Sequence, residues 1–117
     1  MMNAQENFRV AVRNEDRAVV FAVEGELDLA SSPTLEQELE RAHDADVELL
    51  IIDLRELRFM DSTGLHALVK ANKRATEAGR RFAVVRGGAQ IERLLNLTGV
   101  GELLITADTP EELLRTV

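Results

Sequence analysis

Residues 48–65 read Glu48-Leu49-Leu50-Ile51-Ile52-Asp53-Leu54-Arg55-Glu56-Leu57-Arg58-Phe59-Met60-Asp61-Ser62-Thr63-Gly64-Leu65, and this stretch decides the fold. Leu49 to Ile52 is a continuous apolar run bounded by charge, which predicts a strand over Glu48–Leu54 buried on both faces. After Asp61-Ser62-Thr63-Gly64 the period changes: Leu65, Leu68, Val69, Asn72 and Ala75 recur at helical spacing, and Gly79 supplies the stop. A doubly buried strand feeding a helix is the building unit of a parallel sheet.

The same alternation extends in both directions. Upstream, Phe8, Val10 and Val12 alternate with Arg9, Ala11 and Arg13, a strand with one wet face, followed by a turn at Asn14-Glu15-Asp16. Ala18–Val23 is a more buried strand antiparallel to the first, and Glu24–Asp28 reads as a loop. Ser32 and Pro33 open a helix carrying the stripe Leu35, Leu39, Ala42, with His43 placed to favour its C-terminal dipole. Downstream come a strand at Phe82–Val85, Gly87-Gly88, a helix with Ile91, Leu94 and Leu95 ending at Gly99, and a short strand at Glu102–Ile105. Thr109-Pro110-Glu111-Glu112 then opens a last helix with a capping box. The expected fold is α/β, a mixed, mostly parallel sheet of four to five strands with about four helices and the first strand as antiparallel edge. One domain is expected over 1–117, with 1–7 flexible. In such sheets functional groups gather outside the carboxyl ends of the strands, where two polar loops fall, Glu24–Asp28 and Phe59–Gly64.

Composition bounds the function. At 117 residues the chain has the size of one domain, and surface scaling buries about two-thirds of its unfolded area. No cysteine is present, so disulfides, thiolate metal sites and a cysteine nucleophile are excluded. The longest apolar run, Ala18–Val23, falls far short of the roughly 18–20 residues that cross a bilayer. Met1–Asn7 has neither a basic nor an apolar segment of the secretory kind, so the expected location is the cytoplasm. Fourteen basic against twenty-one acidic residues leave a net charge of −7, and Trp and Tyr are absent. A duplex-binding face needs a basic surplus, so nucleic acid is not an expected partner, whereas a protein with a basic patch is attracted.

The candidate site is Asp61-Ser62-Thr63-Gly64. At a helix start the backbone N–H groups lack partners and carry partial positive charge, and Ser, Thr or Asp there can be simply a cap. Two details point further. Asp61 and Ser62 are consecutive although one cap suffices, and Gly64 inside the first turn costs about 0.5–1 kcal/mol relative to Ala. A small residue at that point is read as room for another protein to approach the hydroxyl. Asp28 reads equally as partner contact or polar loop residue, with Glu26 a lesser candidate. Asp53 reads as structural, and Phe59 and Met60 as core or rim.

The run from Ile51 to Leu65 resembles the signature of STAS domains, and most resembles the bacterial anti-sigma factor antagonists of the sporulation and stress-response type. Val23-Glu24-Gly25-Glu26-Leu27-Asp28-Leu29-Ala30 is similar to the family's second landmark, and the likeness runs from about Phe8 to Leu114. The resemblance implies a phosphorylation switch without enzymatic activity or cofactor. In the family the serine directly after the aspartate, here Ser62, is phosphorylated by a partner anti-sigma factor, a serine kinase of the histidine-kinase-like ATPase fold. The unphosphorylated antagonist binds that partner and frees the sigma factor, and a PP2C-type phosphatase restores it. Thr63 is a lesser acceptor, and Asp28, Asp61, Ser62, Thr63 and Gly64 form the implied contact surface. A phosphate adds about −1.5 to −2 charges, which a helix N-terminus tolerates. Beside Asp61, at about 6 Å and an effective dielectric of 20–80, that charge costs roughly 1–5 kcal/mol.

Rival readings are weaker on residues. A response-regulator receiver phosphorylated on aspartate needs an acidic cluster ending its first strand and a late lysine. Here that strand ends Val12-Arg13-Asn14 and no lysine follows Lys73. A serine hydrolase pairing Ser62 with His66 lacks the Gly-x-Ser-x-Gly elbow. Gly87-Gly88 completes no phosphate-binding motif and reads as a strand-to-helix turn. No spacing of His and carboxylates suggests a metal site. Within the STAS-like group, a subunit of a lipid-transport ABC complex or of a stress-signalling assembly remains as an alternative.

Overall fold

The computed structural model describes residues 7–43 and 46–117. The expectation of a flexible start falls outside these residues except at Asn7. A five-stranded sheet runs in the order β1-β2-β3-β4-β5: β1 (Phe8–Glu15), β2 (Ala18–Leu27), β3 (Leu49–Met60), β4 (Arg81–Val85) and β5 (Ile105–Ala107). β1 is antiparallel to β2 and every later pairing is parallel. The helices are α1 (Ser32–His43), α2 (Ser62–Glu77), α3 (Ala89–Thr98), α4 (Val100–Leu103) and α5 (Pro110–Leu114). The mixed α/β sheet is as the alternation implies.

Strand alternation sorts the side chains into two layers. Val19, Phe21 and Val23 of β2, Leu50, Ile52 and Leu54 of β3, and Phe82 and Val84 of β4 pack with Leu35 and Leu39 of α1, Leu65 and Leu68 of α2, and Ile91 and Leu95 of α3. Ala18, Val20, Leu49, Ile51, Ala83 and Val85 point to the other face, where Leu113 of α5 covers them. At roughly 1.5–3 kcal/mol for each large apolar side chain taken from water, the first layer carries most of the stabilisation.

Several boundaries differ from expectation. The β1–β2 turn lies at Asp16-Arg17, since β1 runs to Glu15 and Asp16 takes φ +59°. β2 continues through Glu24–Leu27, most of the Glu24–Asp28 segment expected to be a loop, because β3 pairs with it throughout and β1 pairs with Glu24 and Gly25. β3 runs six residues beyond Leu54. Two bulges in its pairing with β2, between Ala22 and Glu24 and between Gly25 and Glu26, each spend an extra β3 residue. Buried positions therefore fall at Leu54, Leu57 and Met60, three apart, against Val23, Gly25 and Leu27, two apart. The final strand is Ile105–Ala107 and not Glu102–Ile105. Gly99, at φ +78°, ends α3 and starts a four-residue helix, which brings the helices to five among the described residues.

The end of α1 is closed by Arg80, whose guanidinium donates to the carbonyls of Ala42 at 3.0 Å and His43 at 3.0 Å. Two ion pairs, Lys70–Glu36 and Arg74–Glu40, strap α2 to α1. The Arg74 guanidinium holds the Glu40 carboxyl below its ordinary range.

Candidate functional site

The parallel pairing of β2 and β3 sets Leu27 opposite Met60, so the chains that leave the two strands emerge side by side. The Asp61 N–H donates to the Leu27 carbonyl at 3.2 Å and ties the second exit to the first. Asp61 has extended backbone angles, φ −100° and ψ −173°, and its Oδ1 accepts from the Gly64 N–H at 3.0 Å. It is the N-cap of α2. Ser62 is thus the first helical residue, exposed to solvent, and its hydroxyl is not the one that caps the helix. Thr63 follows, half-buried, and Leu65 and Leu68 anchor the turn in the core.

Gly64 has a different reason from the one its position suggests. It is buried, and a Cβ built on it would stand 2.4 Å from the Leu27 carbonyl oxygen, 2.8 Å from Leu27 Cγ and 2.9 Å from Met60 Cγ. The space it vacates is filled by the protein's own β2 and β3 and gives a partner no opening to the hydroxyl. What the glycine admits is the head of α2, drawn against the end of β2.

Asp28 begins the neighbouring segment, and hydrogen bonds shape it. Its Oδ1 accepts from the N–H groups of Ala30 and Ser31, each at 3.1 Å. The buried Ser31 hydroxyl accepts from the Asp28 N–H at 2.9 Å and donates to the Glu26 carbonyl at 2.7 Å. The Asp28 carbonyl accepts from Ser32 twice, from N–H at 2.9 Å and from the hydroxyl at 2.7 Å. These bonds fold the chain into the first turn of α1. Asp28, Asp61, Ser62, Thr63 and Gly64 are therefore gathered at one end of the sheet. Glu26 ends within β2, half-buried, opposite Phe59.

The remaining candidates lie elsewhere or serve the frame. Asp53 is 6% exposed within β3 and binds the Arg55 guanidinium through both oxygens, at 3.0 and 2.9 Å, besides accepting the Arg55 N–H at 3.1 Å. That carboxylate pushes the Arg55 guanidinium up from its ordinary value. His66 is exposed and no hydrogen bond joins it to Ser62. At Gly87 the N–H is taken by Glu92 Oε2 at 3.0 Å, so an internal carboxylate sits where a phosphate reading would place its ligand. Among the described residues no three His, Asp or Glu side chains are grouped to hold a metal ion. No helix among them is long and apolar enough to cross a membrane.

Sequence reasoning read Phe59 and Met60 as core or rim, but missed the apolar flank residues Leu29 and Leu97. Leu29 is 74% exposed one residue beyond Asp28, and Phe59 is 42% exposed two residues before Asp61. Phe59 and Met60 form a hollow with Ile91, Arg93, Leu94 and Leu97 of α3, and Leu97 is 75% exposed. The available signal was a surplus leucine: Ile91, Leu94 and Leu95 pack α3 on the core, yet the helix also carries Leu97.

Known proteins resemble this chain along nearly its full length. The Anti-sigma-F factor antagonist RsfB of Mycobacterium tuberculosis is 27% identical over 99 residues, covering 85% of this chain and 80% of the relative. The Anti-sigma-B factor antagonist of Staphylococcus aureus is 26% identical over 98 residues, covering 84% and 91%. The crystal structure of an anti-sigma factor antagonist from Mycobacterium paratuberculosis superposes with a TM-score of 0.85 at 28% identity, covering 99% of this chain and 98% of that one. The family model of the STAS domain matches residues 9–113. With that span of sequence and the fold in agreement, the chain belongs to the STAS domain family.

Proposed function

We propose that residues 1–117 act in the cytoplasm as a single STAS domain that works as an anti-sigma factor antagonist. Unphosphorylated, it binds an anti-sigma factor serine kinase through the surface around Asp28, Asp61, Ser62 and Thr63, with Gly64 setting the backbone beneath. Phosphorylation of Ser62 releases the partner, and a PP2C-type phosphatase reverses the change. The protein is a kinase substrate and not itself a catalyst. The observation that carries this reading is the exposed Ser62 at the head of α2, its hydroxyl spared because Asp61 caps the helix. The names of the sequence relatives support the partner class.

The chemistry is local. A phosphate on Ser62 meets the positive end of α2, so the fold tolerates it, while a carboxylate or apolar group that a partner lays over the site does not. A few kcal/mol of repulsion removes two to three decades of affinity with no rearrangement.

The test is to incubate the protein with the serine-kinase anti-sigma factors of its source organism and ATP, map the phosphate by mass spectrometry and measure affinity. Ser62 is expected to carry the label. Ser62→Asp should fold normally and bind at least about tenfold more weakly, and Ser62→Ala should bind without regulation. Equal affinity of Ser62→Asp and the unmodified protein overturns the switch. Labelling that persists in Ser62→Ala moves it to Thr63, and capture of an ABC-transporter subunit in place of a kinase overturns the assignment.

A further inference from the structure

We infer that the hollow between the end of β3 and α3 is a second docking point, which takes from the anti-sigma partner a segment carrying a large apolar side chain next to a carboxylate. The inference rests on the proposed function and adds the chemistry of the partner's contact. Its floor is Met60 and Ile91, both buried, and its rim is Phe59, Leu94 and Leu97. Leu97 is 75% exposed and Phe59 is 42% exposed. Apolar side chains grouped this way in an otherwise charged surface mark a contact.

Charge selects the occupant. Arg93 borders the hollow and enters no ion pair among the described residues, whereas Arg86, near the start of the same helix, is held by Asp108 at 2.6 Å. On a chain of net charge −7, a guanidinium held in reserve beside an apolar socket suits a carboxylate next to an apolar plug. Position agrees: Phe59 and Met60 run directly into Asp61 and Ser62, so one partner can cover socket and hydroxyl together.

Affinity is measured by calorimetry against the purified serine-kinase anti-sigma factors of the source organism, with ADP in place of ATP so that Ser62 stays unmodified. Leu97→Glu and Arg93→Glu should each weaken binding about tenfold or more, while Arg93→Lys should stay within about threefold. Leu103→Glu, at a leucine exposed outside the hollow, should bind as the unmodified protein does. Thermal melting of each variant checks the fold. With ATP, Leu97→Glu should raise the KM of Ser62 phosphorylation and leave kcat unchanged. If Ser62→Asp loses binding while Leu97→Glu and Arg93→Glu keep it, the hollow is refuted and the switch stands. If the unmodified protein binds none of the kinases, the proposed function falls and the docking point falls with it. If it self-associates in sedimentation and Leu97→Glu abolishes that association, the occupant is a second copy and the partner assignment is overturned.

Discussion

Substituting Ala for Gly64 tests the packing that seats Ser62. In an open first turn the change should stabilise by about 0.5–1 kcal/mol, because Ala loses less backbone entropy in a helix. Here the new Cβ would lie 2.4 Å from the Leu27 carbonyl oxygen, which is backbone and already accepts the Asp61 N–H at 3.2 Å. Relief requires a shift of roughly 1 Å between α2 and the end of β2, and such overpacking costs about 1–3 kcal/mol. The net expectation is a loss of about 1–2 kcal/mol, lowering Tm by roughly 4–10 °C for a domain of this size. The shift also pulls on the Asp61 cap and moves Ser62 with it, so the phosphorylation proposed for Ser62 should slow in the folded variant. Gly88→Ser is the control. Its Cβ meets nothing within 4 Å, and it supplies α3 with the side-chain cap it lacks, so stability should rise by a few tenths of a kcal/mol. Calorimetric melting reads both. A Tm for Gly64→Ala equal to or above that of the parent would refute the close approach of α2 to β2.

Other perturbations address the frame and the flanks. Arg55→Ala leaves the buried Asp53 carboxylate without its bidentate partner and should cost about 2–3 kcal/mol in urea unfolding; an Asp53→Asn, Arg55→Ala double variant should recover part of it, since the stranded charge is gone. Glu40 is held low by Arg74, so its contribution is complete above the ordinary carboxylate value and lost as pH falls through the lowered one. The Tm gap between the parent and Glu40→Gln should therefore be open at pH 7 and closed in strong acid; a gap that widens on acidification would contradict the strap between α1 and α2.

Fold class was legible because Leu49–Ile52 and Ala18–Val23 are uninterrupted apolar runs, and Leu65, Leu68 and Ala75 keep a helical period. The end of β3 was not, for a physical reason: each bulge inserts one residue, so the buried positions Leu54, Leu57 and Met60 fall three apart and mimic neither strand nor helix. Glu24-Gly25-Glu26 reads as a loop because its composition is polar, whereas pairing with β3, and with β1 at Glu24 and Gly25, invisible to local pattern, makes it strand. Gly25 belongs there because a Cβ would lie 1.9 Å from the Asn7 carbonyl oxygen, and its φ is +93°. The short α4 carries too few residues to show a period. At the site, the pair Asp61-Ser62 was visible, but which of them caps and which faces solvent depends on the backbone angles of Asp61. The demand on Gly64 comes from β2, distant in sequence, and no inspection of the helix alone reveals it.

Because position 61 fastens the helix and position 62 only begins it, the two neighbours can be edited independently. Residues 1–117 contain no cysteine, so a thiol installed by Ser62→Cys would be unique among them, and a fluorophore attached there would sit on the face proposed for docking without loosening the cap beneath it. Such a label would report optically on the engagement proposed for this face.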